Sequence, residues 1–382
     1  MAQPIEAGRT RRLTRIAQAA QAERDLRLLG SYNRAMSETT TDTRSMTGLT
    51  KRDKGAENVA LGDAPRPTPG PDEVVIEVYA TGICGTDLHI QDDEFPSTPP
   101  VVMGHEVTGR VVEAGPGAED WVGVRVSPET YFYTCDRCHA CLAGRRNLCP
   151  TRKSIGSHVN GGFASHVLVP QRNLHEVHES VGEHAGALYE PLSCVAQCLC
   201  DPAVASPGDT ALVVGPGAMG ILTAQVLKSQ GADVTISGTP GDQRRLDIAE
   251  SLGLTPVLAG DLENAIPGVG FDVVADASGN EHGIDAGLRA IRKGGHYVQV
   301  GLTGKPISVD IDLICLKELV VTSGFASTPR SWHRVEKLIA SGAVVLDPLV
   351  TDVSPLSAWE TSFARTRKAD GLKLMLDPRM DA

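Results

Sequence analysis

Cys135, Cys138, Cys141 and Cys149 fall in one short stretch with the spacing C-x2-C-x2-C-x7-C. Zinc accepts four thiolates at about 2.3 Å each, and ligands this close in sequence can wrap one ion without a preformed pocket. Disulfides are the other reading of clustered cysteines, but a chain of 382 residues in which no secretory signal is read has no need of stapling. A site with all four positions filled has no opening for substrate, so this one is expected to hold a lobe or partner surface in shape. Chemistry is expected elsewhere.

A second constellation runs through Gly82-Ile-Cys-Gly-Thr-Asp-Leu-His89, Gly104-His105-Glu106 and Tyr189-Glu-Pro-Leu192. Cys84, His105 and a carboxylate from Glu106 or Glu190 would supply three ligands of mixed type. The fourth position would stay open for water or substrate, as a catalytic zinc requires. Any one of these residues alone is more readily structural; the set carries weight because a nucleotide-binding turn accompanies it. Gly215, Gly217 and Gly220 form G-x-G-x-x-G directly between an apolar run, Ala211 to Val214, and a helical stretch, Ile221 to Gln230. The first glycine permits a tight turn, the second admits a pyrophosphate against the backbone, and the third lets helix and sheet approach. Ala218 and Met219 within the turn, and Val300 after a later strand, join it as candidate cofactor contacts.

An acidic residue that grips the ribose hydroxyls belongs at the end of the second strand of such a unit, where this chain has Ser237-Gly238-Thr239. Without that charge a 2′-phosphate is not repelled, and Arg244 and Arg245 follow where they could pair with it. The expectation tilts toward NADP over NAD, with Thr239 and Arg244 at the ribose. Plain solvated helix charges are the alternative for both arginines. Cys194, Cys198 and Cys200 are expected to pack as small buried hydrophobes. His158, His166, His175, His178 and His184 are scattered without ligand spacing, and Asp276-Ala-Ser-Gly279 either borders the nicotinamide or is a plain turn.

These residues need elements to position them. Short β-branched runs such as Glu73 to Tyr79 and Val107 to Glu113, punctuated by Gly and Pro up to about residue 170, predict an irregular β-rich domain. From about Thr210 the pattern becomes strand, glycine turn, helix, strand. It continues through Asp233 to Ser237, Asp272 to Ala275, a helical region from Ala286 to Ile291 and His296 to Val300, which predicts a parallel α/β domain. A last strand at Leu372 to Leu376 is expected to return to the first domain. The division expected is 46–191 with 326–382 for the β-rich part and 192–325 for the nucleotide part. Residues 1–45, with eight Arg against five acidic residues, stand apart. A disordered arm or an upstream-extended start is the leading expectation for them, and a packed amphipathic helix around Leu13 to Leu29 the second.

Composition sets outer bounds. A net charge of −11 argues against a nucleic-acid partner, no apolar run approaches the length of a membrane span, and nine cysteines favour a reducing, cytoplasmic setting.

With these motifs in this order, the chain from about Met46 onward resembles the zinc-dependent medium-chain dehydrogenases, the alcohol, sorbitol and threonine dehydrogenase superfamily. The resemblance implies a GroES-like β-rich catalytic domain and a Rossmann domain. It also implies one catalytic and one structural zinc per chain, NAD(P), a small alcohol substrate and a homodimer or homotetramer. Cys84 and His105 match the catalytic ligands. Glu106 matches the glutamate that ligates in polyol-type members, and Glu190 stands where typical alcohol dehydrogenases have cysteine. Thr86 and His89 match a proton relay, and Asp87 a residue orienting His105, with a local turn cap as its alternative. Gly123-Val-Arg-Val126 departs from the family's Gly-Asp-Arg-Val turn. The expected reaction is reversible oxidation of a secondary alcohol, a polyol or sugar-like compound, to a ketone, with L-threonine dehydrogenase or simple alcohol dehydrogenase activity as the alternatives within the same class. A dinucleotide-binding regulator without turnover and a zinc-independent quinone reductase are the rivals.

Overall fold

A computed structural model describes residues 45–381 of the chain. The expected helix around Leu13 to Leu29 lies outside the described residues. Two large sheets organise the rest.

The first is a seven-stranded, mostly antiparallel sheet. Its path runs Leu174–Glu176, Arg125–Pro128, Glu106–Ala114, Glu73–Gly82, Lys373–Asp377 and Val350–Pro355, with His166–Pro170 also paired to Glu73–Gly82. Glu73–Gly82 anchors it because Val74, Val75, Ile76, Val78 and Ala80 are all fully buried. The C-terminal strand returns as expected: Met375 sits opposite Gly82 and Leu376 opposite Thr81. A ribbon of Tyr131–Tyr133 with Lys153–Ser154 brackets the four-cysteine loop, and a hairpin of Ser45–Lys51 with Val59–Pro65 carries Val101–Val102 on its edge.

The second sheet is parallel and six-stranded, in the spatial order Thr255–Leu258, Asp233–Gly238, Thr210–Val214, Phe271–Asp276, Ile291–Gln299, Val320–Ser323. In chain order that is third, second, first, fourth, fifth, sixth, the doubly wound arrangement. Helices cover both faces, so the central strand is apolar on both sides: Ala211 and Val213 enter one core, and Leu212 and Val214 the other. One core packs against helices Tyr189–Leu199, Ala218–Ser229 and Pro329–Ala340, the other against Glu281–Ala290.

One boundary differs from the sequence reading of residues 286–291. Asn280 caps that helix by accepting from the Gly283 N–H at 2.9 Å, so the helix starts early, at Glu281, and Ile291 already opens the next strand. Among the described residues no helix is long and apolar enough to cross a membrane.

Candidate active site and nucleotide cleft

Cys84 follows the strand Glu73–Gly82 by two residues and caps helix Gly85–Gln91. Its backbone N–H donates to Asp87 Oδ2 at 2.9 Å, which turns the chain so that the thiol faces the cleft. His105 arrives from the other side, after Gly104 at φ +89°. A Cβ on Gly104 would lie 2.8 Å from both the Phe163 ring and the Phe163 backbone nitrogen, so only glycine makes this turn. Ligand atoms of Cys84, His105 and Glu106 lie within 4.8 Å of one another. Glu190 is outside that group. It sits in the first turn of helix Tyr189–Leu199, buried, where burial pushes its carboxyl up to about 7.

Asp87 does more than cap a turn. Its Oδ1 is buried without a hydrogen-bond partner and lies 3.3 Å from His105 Nδ1. That nitrogen can therefore be oriented by the carboxylate while the ring's other nitrogen serves a cation. Burial alone would lower His105, but Asp87 and the Cys84 sulfur raise it well above the ordinary range. A thiol, an imidazole and a carboxylate gathered around one point, with an orphaned acceptor behind the imidazole, fit a divalent metal such as zinc.

The sequence reading missed Lys373. Its ammonium donates to both Glu106 oxygens at 2.7 Å, inside the protein. Burial works against its charge, and Glu106 raises it. The available signal was a lysine directly before the apolar run Leu374 to Leu376 of the last strand, Lys373–Asp377.

Thr86 and His89 share one cavity of about 370 Å³ with Cys84, His105, Glu106 and Glu190. His89 Nδ1 meets Glu94 Oε2 at 2.7 Å, and its side chain is 47% exposed, so a residue lining the cavity also meets solvent. Met219 and Val300 line the same cavity, and Ser278 and Gly301 extend that wall. Asp276-Ala-Ser-Gly279 is thus both a turn and a cleft wall: Asp276 holds Ser278 Oγ at 2.6 Å and Gln299 Nε2 at 2.7 Å.

The glycine turn is built for close approach. Gly215 has φ +97°, a Cβ on Gly220 would fall 1.8 Å from the Gly215 carbonyl oxygen, and the space over Gly217 is open. Ala218 then starts the helix Ala218–Ser229, whose first N–H groups suit a pyrophosphate. At the ribose end the sequence reading needs two corrections. A carboxylate is present after all, because Asp242 Oδ2 accepts from Thr239 Oγ1 at 2.7 Å. Arg245 is committed: it donates to Asp242 and to the carbonyls of Ala369 and Gly371, tying its helix to the C-terminal segment. Arg244 is exposed on the same turn.

A third correction concerns Cys194 and Cys198. They line the cavity rather than only filling core, and Cys194 Sγ donates to Glu190 Oε1 at 3.5 Å. Helical spacing from Glu190 explains this, since residues four apart share a face.

The four cysteines of the loop converge as expected. All four sulfurs lie within 4.8 Å, with Cys149 and Cys135 3.6 Å apart, and the thiols are free. Four sulfurs at Zn–S lengths of about 2.3 Å sit about 3.8 Å apart, so the cluster fits zinc. Burial raises Cys135, but the Arg137 and Cys138 N–H groups bring it down to about 6.

Comparison with known proteins agrees with this geometry. Residues 70–179 match the family described as alcohol dehydrogenase GroES-like domain, and residues 218–341 that described as zinc-binding dehydrogenase. The sorbitol dehydrogenase of Halalkalibacterium halodurans is 34% identical over 342 residues, covering 87% of this chain and 99% of that protein. The D-arabitol-phosphate dehydrogenase of Enterococcus avium is 34% identical over 344 residues, 87% of this chain and 98% of its own. A structure described as a zinc-binding dehydrogenase of Sinorhizobium meliloti bound to NADP superposes with a TM-score of 0.80 at 33% identity, covering 88% of this chain and all of that one. The chain belongs to the zinc-dependent medium-chain dehydrogenase superfamily, polyol type, and is an alcohol/polyol oxidoreductase.

Proposed function

We propose that this enzyme oxidises a secondary alcohol of polyol type reversibly to the ketone, using zinc and NADP. The observation that carries the reading is that one cavity holds the cluster Cys84, His105 and Glu106 together with the wall next to the glycine turn. When bound, zinc supplies a Lewis acid that acidifies a hydroxyl or polarises a carbonyl, and the nicotinamide supplies the hydride acceptor. Cys84, His105 and Glu106 would hold the metal, with Asp87 fixing the His105 ring. Thr86 accepts and passes on the proton of the substrate hydroxyl, and His89, braced by Glu94, exchanges it with water. Gly215, Gly217 and Gly220 receive the pyrophosphate, and Arg244 faces the adenosine ribose. NADP is favoured because Asp242 already has Thr239 and Arg245 as partners, while the exposed Arg244 has none among the described residues. The functional division we adopt is residues 46–191 with 326–382 for zinc and alcohol, and 192–325 for the dinucleotide.

The names of two relatives, acting on sorbitol and on arabitol phosphate, support the substrate class. A homo-oligomer is part of the same reading. The edge strand Val320–Ser323 exposes Val320 and Val321 beside exposed Leu316, an apolar border that a second copy would cover. Light scattering that finds only monomer at micromolar concentration would remove this element. Free thiols throughout the described residues suit a cytoplasmic setting.

The deciding test follows nicotinamide reduction with a panel of polyols and simple alcohols. Wild type is expected to turn over at least one polyol, faster with NADP than NAD. Cys84→Ala is expected to lose one zinc of two and roughly a thousandfold in kcat/KM with its melting temperature little changed. Full activity in that variant would end the assignment.

A further inference from the structure

Resting on that reading of the cavity, we propose that the wall around Arg152 binds an anionic group, a phosphate monoester or a carboxylate, carried by the substrate away from its reacting hydroxyl. Arg152 lines the same cavity as Cys84, His105 and Glu106. It is half-buried, and its guanidinium lies 4.7 Å from the Phe325 ring centroid and 5.6 Å from that of Tyr131. Its hydrogen bond, from Nη1 to the Asn147 carbonyl at 3.0 Å, leaves the rest of the donor fork free. Neither Arg152 nor its neighbour Lys153 has an acidic partner among the described residues.

A cation without a carboxylate is unusual at this depth in a chain of net charge −11. Elsewhere half-buried arginines have their forks occupied: Arg245 pairs with Asp242, Arg365 with Asp352 and Asp370, and Arg379 with Asp377 and Glu183, while Arg125 donates to the carbonyls of His178 and Val181. The two acids of the cavity are not available to it. Glu106 is occupied by Lys373, and Glu190 bonds Cys194.

The position is also built. The Arg152 backbone N–H donates to the Cys149 carbonyl at 3.2 Å, the last ligand of the four-cysteine loop. Asn147 of that loop reaches the Phe325 carbonyl at 2.7 Å, so the loop fixes both the arginine and the ring beneath it. Tyr131 is fixed too, since its hydroxyl donates to the Ser327 carbonyl at 2.8 Å. His158, on the same wall, is lowered by burial and then by the charges of Lys153 and Arg152. The Ser154 hydroxyl, also lining the cavity, has no partner among the described residues. A stacked guanidinium with an open fork and an uncommitted hydroxyl on the cavity wall match the oxygens of a phosphate or carboxylate, and the Lys153 charge nearby adds to the positive potential there.

The test compares kcat/KM for a pentitol, its terminal phosphate monoester and the matching aldonate, using full-length zinc-replete enzyme. An anionic substrate is expected to exceed the neutral pentitol by roughly 30-fold or more, mainly through KM, and Arg152→Met to collapse that ratio toward one. Whichever anion is preferred names the group. Inorganic phosphate is expected to compete with the anionic substrate in wild type. If Arg152→Met proves unstable, that competition decides alone. Equal rates on all three substrates, an unchanged ratio in the variant, or no competition by phosphate would each overturn the anion site while leaving the dehydrogenase reading intact. Silence toward every alcohol would overturn both.

Discussion

Glu106 faces two claims on its charge: the Lys373 ammonium at 2.7 Å, and the metal that Cys84 and His105 invite. Buried pairs are fragile to the loss of one member, because the survivor is left charged and unsolvated. In zinc-free protein, Lys373→Met is expected to cost about 3 kcal/mol, read by denaturant unfolding. Adding Glu106→Gln should recover much of that loss, since no charge then remains. A Lys373→Met variant that unfolds with wild type would show that the pair does not form. Arg244 belongs to the same scale. Arg244→Ala is expected to lower the NADP-over-NAD ratio of kcat/KM by roughly tenfold, and an unchanged ratio would place the 2′-phosphate elsewhere. Arg244 could be put forward from the sequence because it follows the glycine turn at a known distance, whereas Lys373 is 267 residues from Glu106 and no spacing rule joins them.

The four-cysteine loop is an element with a second duty, since it carries Arg152 and Asn147. Cys135→Ala should remove one zinc and lower the melting temperature by roughly 5 °C. Two retained zinc ions and unchanged melting would contradict the assignment. Helix Pro329–Ala340 is tied to the antiparallel sheet by His175, which meets Glu129 at 3.2 Å and Glu336 at 2.8 Å and stacks on Trp332 at 4.6 Å between centroids. Burial works against the imidazolium, but the two carboxylates hold it above its ordinary range; His333 shares Glu336. A raised value means that the stabilisation is complete below the ordinary histidine range, near pH 6.5, and is lost as pH climbs through the raised folded value. His175→Gln should therefore cost about 2 kcal/mol at pH 6 and progressively less at alkaline pH. A pH-independent difference would assign the loss to packing on Trp332 instead. The sequence reading had left His175 among scattered histidines, because its partners come from a sheet-edge loop and a distant helix.

For the molecule as a whole, the cleft is where two sheets of different design meet one set of ligands. A dinucleotide that binds only the folded state stabilises it by mass action, about 2.7 kcal/mol at a hundredfold excess over Kd. NADP is expected to raise the melting temperature more than NAD at equal concentration; equal shifts would remove the NADP preference. The alternation of parallel strands and helices was legible from residue 210 onward, because strands buried on both faces read as unbroken apolar runs. The irregular β-rich part was legible only as a class. Its strands are short, and their pairings reach across the chain, as with Leu376 opposite Thr81.

Sequence alone determined the ligand types, their order and the glycine turn, because metal preference and the close approach of a backbone are local matters of residue chemistry and spacing. Tertiary structure decided what proximity decides. It gathered Glu106, not Glu190, with Cys84 and His105, and it set Lys373 against that carboxylate. It also committed Arg245 to the C-terminal segment and turned Cys194 and Arg152 into the cavity wall. Those outcomes rest on non-local pairing between strands and helices, and no residue spacing encodes them.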